Sequence, residues 1–86
     1  MPVHNPPIDV VIKEIPTGDI DGINKVFNTT LSFVTGSTQL FLNGQLLSEG
    51  AGNDYTESAD KEMTLVDAPK GNPGNPDKLF VVFTEN

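Results

Sequence analysis

The sequence predicts an all-β fold, a small antiparallel β-sandwich over residues 8–86 behind an extended N-terminal arm at residues 1–7. Three observations lead there. Only three alanines occur, against eight each of Thr, Val and Asn, eight glycines and seven prolines, a balance that favours strands and turns over helices. Stretches of alternating apolar and polar residues are interrupted by Gly, Pro and Asn at intervals of about ten residues, the punctuation of short strands. Between two apolar runs stands Asn43-Gly44, the pair best suited to the two positive-φ positions of a type I′ hairpin turn.

Each element follows in order. Pro2, Pro6 and Pro7 deny residues 2–7 a helix or a central strand, so this segment should run extended. Ile8, Val10 and Ile12 alternate with Asp9, Val11 and Lys13 as a half-buried strand does, until Pro16, Thr17 and Gly18 break it. Residues 19–24 are turn-like, and alternation resumes from Lys25 to Val34, with Phe27, Thr29, Leu31 and Phe33 on one side. Gly36 and Ser37 end that strand. Counting outward from Asn43-Gly44 opposes Leu42 with Gln45, Phe41 with Leu46 and Leu40 with Leu47. Shorter strands are expected at Tyr55–Ser58 and Glu62–Val66, then a long loop from Ala68 to Asp77, then a closing strand from Lys78 to Thr84. That last strand is apolar on both faces, which suits a strand covered on both sides. The sandwich is expected to be Ig-like or jelly-roll-like.

The chain has 86 residues, which bounds it to one domain. Leu, Ile, Val and Phe make up 25 of them, a share above the roughly 20 % below which chains stay disordered. Twelve acidic residues against five lysines and no arginine give a net charge of −7. That balance repels phosphate backbones and anionic membranes and argues against nucleic-acid or membrane partners. Without cysteine there is no disulfide, thiolate metal site or cysteine nucleophile. The first residues lack the basic start and apolar run of a signal peptide, so the expectation is a chain made and kept without export.

From Gly22 onward the order of landmarks resembles a short β-sandwich module of tailed-bacteriophage virion proteins. The landmarks are Asn24 and Phe27, the Gly36-Ser37 turn, the hairpin from Leu40 to Leu47, Gly50, the run Asn53-Asp54-Tyr55-Thr56, Thr64-Leu65 and Ala68-Pro69, ahead of the final apolar strand. The chain departs from the module at Thr29 and Phe33, where an aliphatic residue and a proline are usual. It departs again after Pro69, where a tight turn is replaced by residues 71–77. The resemblance implies a non-enzymatic structural component of a tailed-phage virion, as head decoration, neck or tail accessory, assembled in the host cytoplasm and acting through contacts with other virion proteins and with copies of itself. The alternative it leaves open is a phage or bacterial binding module that recognises a host surface glycan or receptor. Opening on Met1 and ending just past the last strand, the chain reads as a complete small gene product.

Catalysis has little to work with. His4, the sole histidine, lies in the arm with no fixed neighbour, and no set of residues suggests a nucleophile and base. Asp19, Asp21, Gly22 and Asn24 resemble the start of a calcium loop but lack its distal glutamate, so a solvated turn is expected and no cofactor or metal. Sugar stacking generally needs an aromatic platform. There is no tryptophan, Tyr55 is expected to pin a loop through its hydroxyl, and the five phenylalanines have the spacing of core residues.

What remains is surface for protein partners. A two-layer sandwich hides one face of each sheet, yet the hairpin and the last strand carry apolar residues on both. One pair of Phe41 with Leu46 or Leu40 with Leu47 must therefore lie outside the core, covered either by the arm and the long loop or by another subunit. The candidate interface comprises Pro2, Val3, Pro6 and Pro7 of the arm with Leu40, Phe41, Leu46, Leu47, Phe80 and Val82. Termini order only where they are tied down, and the arm is expected to lie against a neighbouring chain. A homo-oligomer or lattice-bound array is the expected assembly.

Overall fold

Alternation along the chain becomes seven strands in the computed structural model, which describes residues 10–86. They are β1 (Val11–Glu14), β2 (Val26–Asn28), β3 (Gln39–Leu42), β4 (Gln45–Leu46), β5 (Tyr55–Ala59), β6 (Glu62–Leu65) and β7 (Leu79–Thr84). They form two antiparallel sheets, of order β1-β7-β3-β4 and β2-β6-β5. The described residues hold no helix. The fold is the small all-β sandwich that composition and periodicity predict. The proposed arm, together with Ile8 and Asp9, lies outside the described residues.

The closing strand takes the centre of the larger sheet, paired with β1 on one side and β3 on the other. Leu79, Val81 and Phe83 are buried while Phe80, Val82 and Thr84 are half-buried on the opposite face. Leu40, paired with Val81, joins the buried set. From the smaller sheet Phe27, Tyr55, Met63 and Leu65 meet them, and one hydrophobic cluster spans both layers. Phe33 completes it by placing its ring edge-on to Phe83, with centroids 6.2 Å apart.

The hairpin follows its turn chemistry. Asn43 and Gly44 take φ of 53° and 84°, both positive as a type I′ turn requires. The register is then set: Leu42 opposes Gln45 and Phe41 opposes Leu46. One step further out, Leu47 N–H donates to Leu40 C=O at 2.8 Å.

A continuous strand from Lys25 to Val34 does not form. Regular pairing stops at Asn28, and the Thr29 hydroxyl donates to Leu31 C=O at 2.6 Å, a local turn that competes with the ladder. The Glu14 carboxylate accepts from Thr30 N–H at 2.8 Å and from its hydroxyl at 2.7 Å. These bonds draw the chain from the smaller sheet to the larger, where Phe33 bridges Glu85 beyond the end of β7. Leu31 is left partly exposed by the crossing. Before β2, Gly18 lies so close to the Phe27 ring that a Cβ there would strike the ring and Val26 C=O.

Candidate interaction surface

On the outer face of the larger sheet, four strands contribute one row of side chains. Phe80 of β7 is directly opposite Phe41 of β3, which is directly opposite Leu46 of β4. The two rings stack with centroids 4.6 Å apart and planes 7° from parallel. From β1, on the other side of β7, Lys13 sets its ammonium 4.7 Å from the Phe80 centroid, a cation–π contact. Phe80 is thus held between Phe41 and Lys13. Leu46, 54 % exposed, ends the row, and Val82 lies beside it on the same face of β7.

Next to this row a groove of about 440 Å³ opens at the end of the sheet where β1 finishes and β7 begins. Ile15, Pro16, Ile20 and Phe80 line it together with Lys13 and Lys78. Ile15 is 79 % exposed. Phe80 and Lys13 belong to both row and groove, so the apolar surface is continuous around that corner.

The groove's other wall is a folded loop. Residues 66–78 turn back on themselves through the Asp77 carboxylate, which accepts from Lys70 N–H at 2.8 Å and from the Asn43 amide at 2.9 Å. The Asn43 amide oxygen in turn accepts from Lys78 N–H at 2.9 Å. The hairpin turn thereby clamps the loop, and the Lys70 N–H, followed by the Asn43 amide, holds the Asp77 carboxyl below its ordinary pKa. Gly71 packs against the backbone of Ile20 with no room for a Cβ. The loop packs against residues 20–22, where Gly22 N–H donates to Pro69 C=O at 2.7 Å.

The acidic turn has its own internal use. Asp21 accepts from Asn24 N–H at 2.8 Å and from Ile23 N–H at 2.9 Å, and these two bonds lower its pKa. Its carboxylate is spent on closing an Asx turn. Among the described residues, no group of three or more His, Cys, Asp or Glu side chains is arranged to hold a metal ion.

Tyr55 ties the layers together. Its buried hydroxyl donates to Thr38 C=O at 3.1 Å and sits 3.0 Å from the Thr38 hydroxyl. Burial, with the neighbouring Glu57 carboxylate adding to it, raises the phenol pKa above the usual 10.0. Glu57 accepts from Gly36 N–H at 2.7 Å and Thr38 N–H at 3.2 Å, and also bonds the Thr38 hydroxyl. This corner fixes the entry of β3 to β5, the loop-pinning role expected of Tyr55.

The structure separates the candidate interface residues into two sets. Leu40 is fully buried and Leu47 packs against the core, so this pair leaves the interface, because β3 turns Leu40 toward Val81 and the smaller sheet. Phe41, Leu46, Phe80 and Val82 share the outer face. Pro2, Val3, Pro6 and Pro7 lie outside the described residues. The expectation that all five phenylalanines are core holds for Phe27, Phe33 and Phe83, whereas Phe41 and Phe80 face outward. Sequence reasoning missed Lys13 and Ile15, although extending the period of β1 by one step puts Val11, Lys13 and Ile15 on one face. Comparison of the chain with family models, curated proteins and solved structures finds no match.

Proposed function

We propose that this protein is a non-enzymatic structural component of a tailed-phage virion, a head decoration, neck or tail accessory protein that works through protein–protein contacts. The phage assignment is supported by the ordered landmarks from Asn24 to Pro69. The contact role is supported by one observation: the row Lys13, Phe80, Phe41 and Leu46 across the outer face of the larger sheet. Central positions of interfaces are enriched in aromatic rings, and a sheet face of this kind offers copies of the chain, or other virion proteins, a dry surface to bury.

The same row argues against a sugar-binding platform. A stacked sugar needs an open ring face, and Phe80 has Phe41 on one side and Lys13 on the other. A glycan array probed with the isolated protein checks that reading, and saturable binding at micromolar concentration would favour it. Mass spectrometry of purified virions tests the main proposal: the polypeptide is expected in the particle in many copies, and its absence ends the proposal.

A further inference from the structure

We infer that Asn43 is a self-modification site: its side-chain amide is lost to attack by the Gly44 nitrogen, at a rate set by the clamp on residues 77–78, and the acid that replaces it opens that clamp. The chemistry is the chain's own and is independent of what the protein binds.

Asn43 alone among the asparagines is followed by glycine. Asn5, Asn72 and Asn75 precede proline, which has no N–H to react. Asn24, Asn28 and Asn53 precede Lys25, Thr29 and Asp54, whose Cβ atoms crowd the attacking nitrogen. Gly44 has no such atom. Both residues are exposed at the tip of the hairpin, with open space where a Cβ of residue 44 would stand.

In the first step the Gly44 nitrogen attacks the Asn43 side-chain carbon, and a C–N bond closes a five-membered imide. The bond to Nδ2 breaks, and ammonia leaves with the proton that Gly44 N–H gives up. Water then adds to one of the two imide carbonyls and opens the ring, either to aspartate or to isoaspartate, in which the main chain runs through the former side-chain carbon. Water is the sole reagent consumed. A cavity of about 420 Å³ lined by Asn43, Asn75, Pro76, Asp77 and Lys78 opens beside the amide.

The fold restrains the reacting group. Asn43 Nδ2 donates to Asp77 Oδ1 at 2.9 Å, its Oδ1 accepts from Lys78 N–H at 2.9 Å, and its N–H donates to Lys78 C=O at 2.8 Å. Both ends of the side-chain amide must let go before its carbon can turn to Gly44, so reaction follows the population in which the clamp is open. Once the amide is gone the clamp cannot re-form. A carboxylate at position 43 meets the Asp77 carboxylate where a donor stood at 2.9 Å, and like charges at that distance repel. The second Asp77 oxygen is held by Lys70 N–H, so Asp77 stays with the loop, the new acid swings away and Lys78 N–H loses its acceptor. Isoaspartate adds a backbone atom to a two-residue turn whose register allows none. Asp77 and Lys78 also line the groove beside Phe80, so the modification alters that wall.

Full-length protein aged at mildly alkaline pH tests the site, with peptide mass spectrometry and isoaspartate-specific methylation to locate the products. Asn43 is expected to convert before Asn24, Asn28 and Asn53, and to convert about tenfold faster in Asp77→Ala, which removes a hydrogen bond to a charged group. Equal rates in the two proteins, or another asparagine converting first, overturn the inference. The consequence is read from the hydrogen-exchange protection of Lys78 N–H, both in aged protein separated by ion exchange and in Asn43→Asp. An Asp-Gly pair suits the same turn, and a urea midpoint confirms that the variant folds. Protection is expected to fall about tenfold in both samples. It is expected to return in Asn43→Asp/Asp77→Asn, where amide and carboxylate have exchanged places. Protection that keeps its wild-type value in the aged protein, or that fails to return in the exchanged pair, overturns the inference as well.

Discussion

Phe41 and Phe80 lie directly opposite one another on neighbouring strands and stack nearly parallel, with centroids 4.6 Å apart, on the face of the sheet turned away from the core. Near-parallel rings at this separation form the offset stack that aromatic pairs favour. Strand register brings the two rings together, and the Lys13 ammonium closes the open side of Phe80. The adjacent Leu40 points the other way into the core, so neighbouring positions on β3 carry opposite duties.

That division predicts opposite phenotypes. Leu40→Ala is expected to cost about 2–5 kcal/mol in urea unfolding, as for other buried leucines, and Leu40→Glu to prevent folding. Phe41→Ala should lose less, about 0.5–1.5 kcal/mol for the aromatic pair together with the burial of only part of its ring. Phe41→Glu should remain folded and fail to assemble, as read by sedimentation. Equal losses of stability at both positions would remove the distinction.

Tyr55→Phe removes the hydroxyl from Thr38 C=O and is expected to cost about 1–3 kcal/mol, the penalty for a buried acceptor left without its partner. The raised phenol pKa gives a further signature. Its contribution is fully present below the unfolded value of 10.0 and lost as pH rises through the higher folded value. Wild-type stability should therefore fall above about pH 10, and Tyr55→Phe should fall less steeply in denaturant titrations at successive pH values.

Asp21 and Asp77 titrate in the opposite sense. Both carboxyls are lowered by backbone N–H donors, so the stability they contribute is present above the unfolded value of 3.8 and lost as pH falls through the folded values. Asp77→Ala releases the clamp on residues 66–78. Cleavage at Lys70 by a lysine-directed protease is expected to accelerate in this variant at neutral pH, and cleavage within residues 66–78 by an acid-stable protease to accelerate in the wild type on acidification. An unchanged cleavage rate in Asp77→Ala would show that Asn43 and the loop backbone suffice.

Gly18→Ala tests packing in a part of the chain that carries no regular ladder. The added methyl would press on the Phe27 ring and Val26 C=O, and overpacking of this kind costs about 1–3 kcal/mol. Gly22→Ala meets no neighbouring atom and bears only its φ of 80°, so its loss should be about 1–2 kcal/mol, the cost of a left-handed backbone for a residue with a Cβ. Chemical denaturation of the two variants compares them.

The hairpin was legible in the sequence because its determinants are local. A two-residue Asn43-Gly44 turn permits only one register, and that register pairs Phe41 with Leu46 whatever the rest of the chain does. The strand character of residues 79–84 and the turn at Gly36-Ser37 were readable for the same reason. What local pattern left open was which apolar face of β3 and β7 looks inward, since Leu40 and Phe41 are equally hydrophobic neighbours. Only the smaller sheet decides it, by presenting Phe27, Tyr55, Met63 and Leu65 to the side that holds Leu40, Val81 and Phe83. Tertiary structure likewise overrode the alternation from Lys25 to Val34, because Glu14, distant in sequence, captures Thr30 and turns the chain across to the other sheet. The groove belongs to this second class. Its walls come from the end of β1, the start of β7 and a loop clamped by Asn43, and no stretch of sequence contains them together.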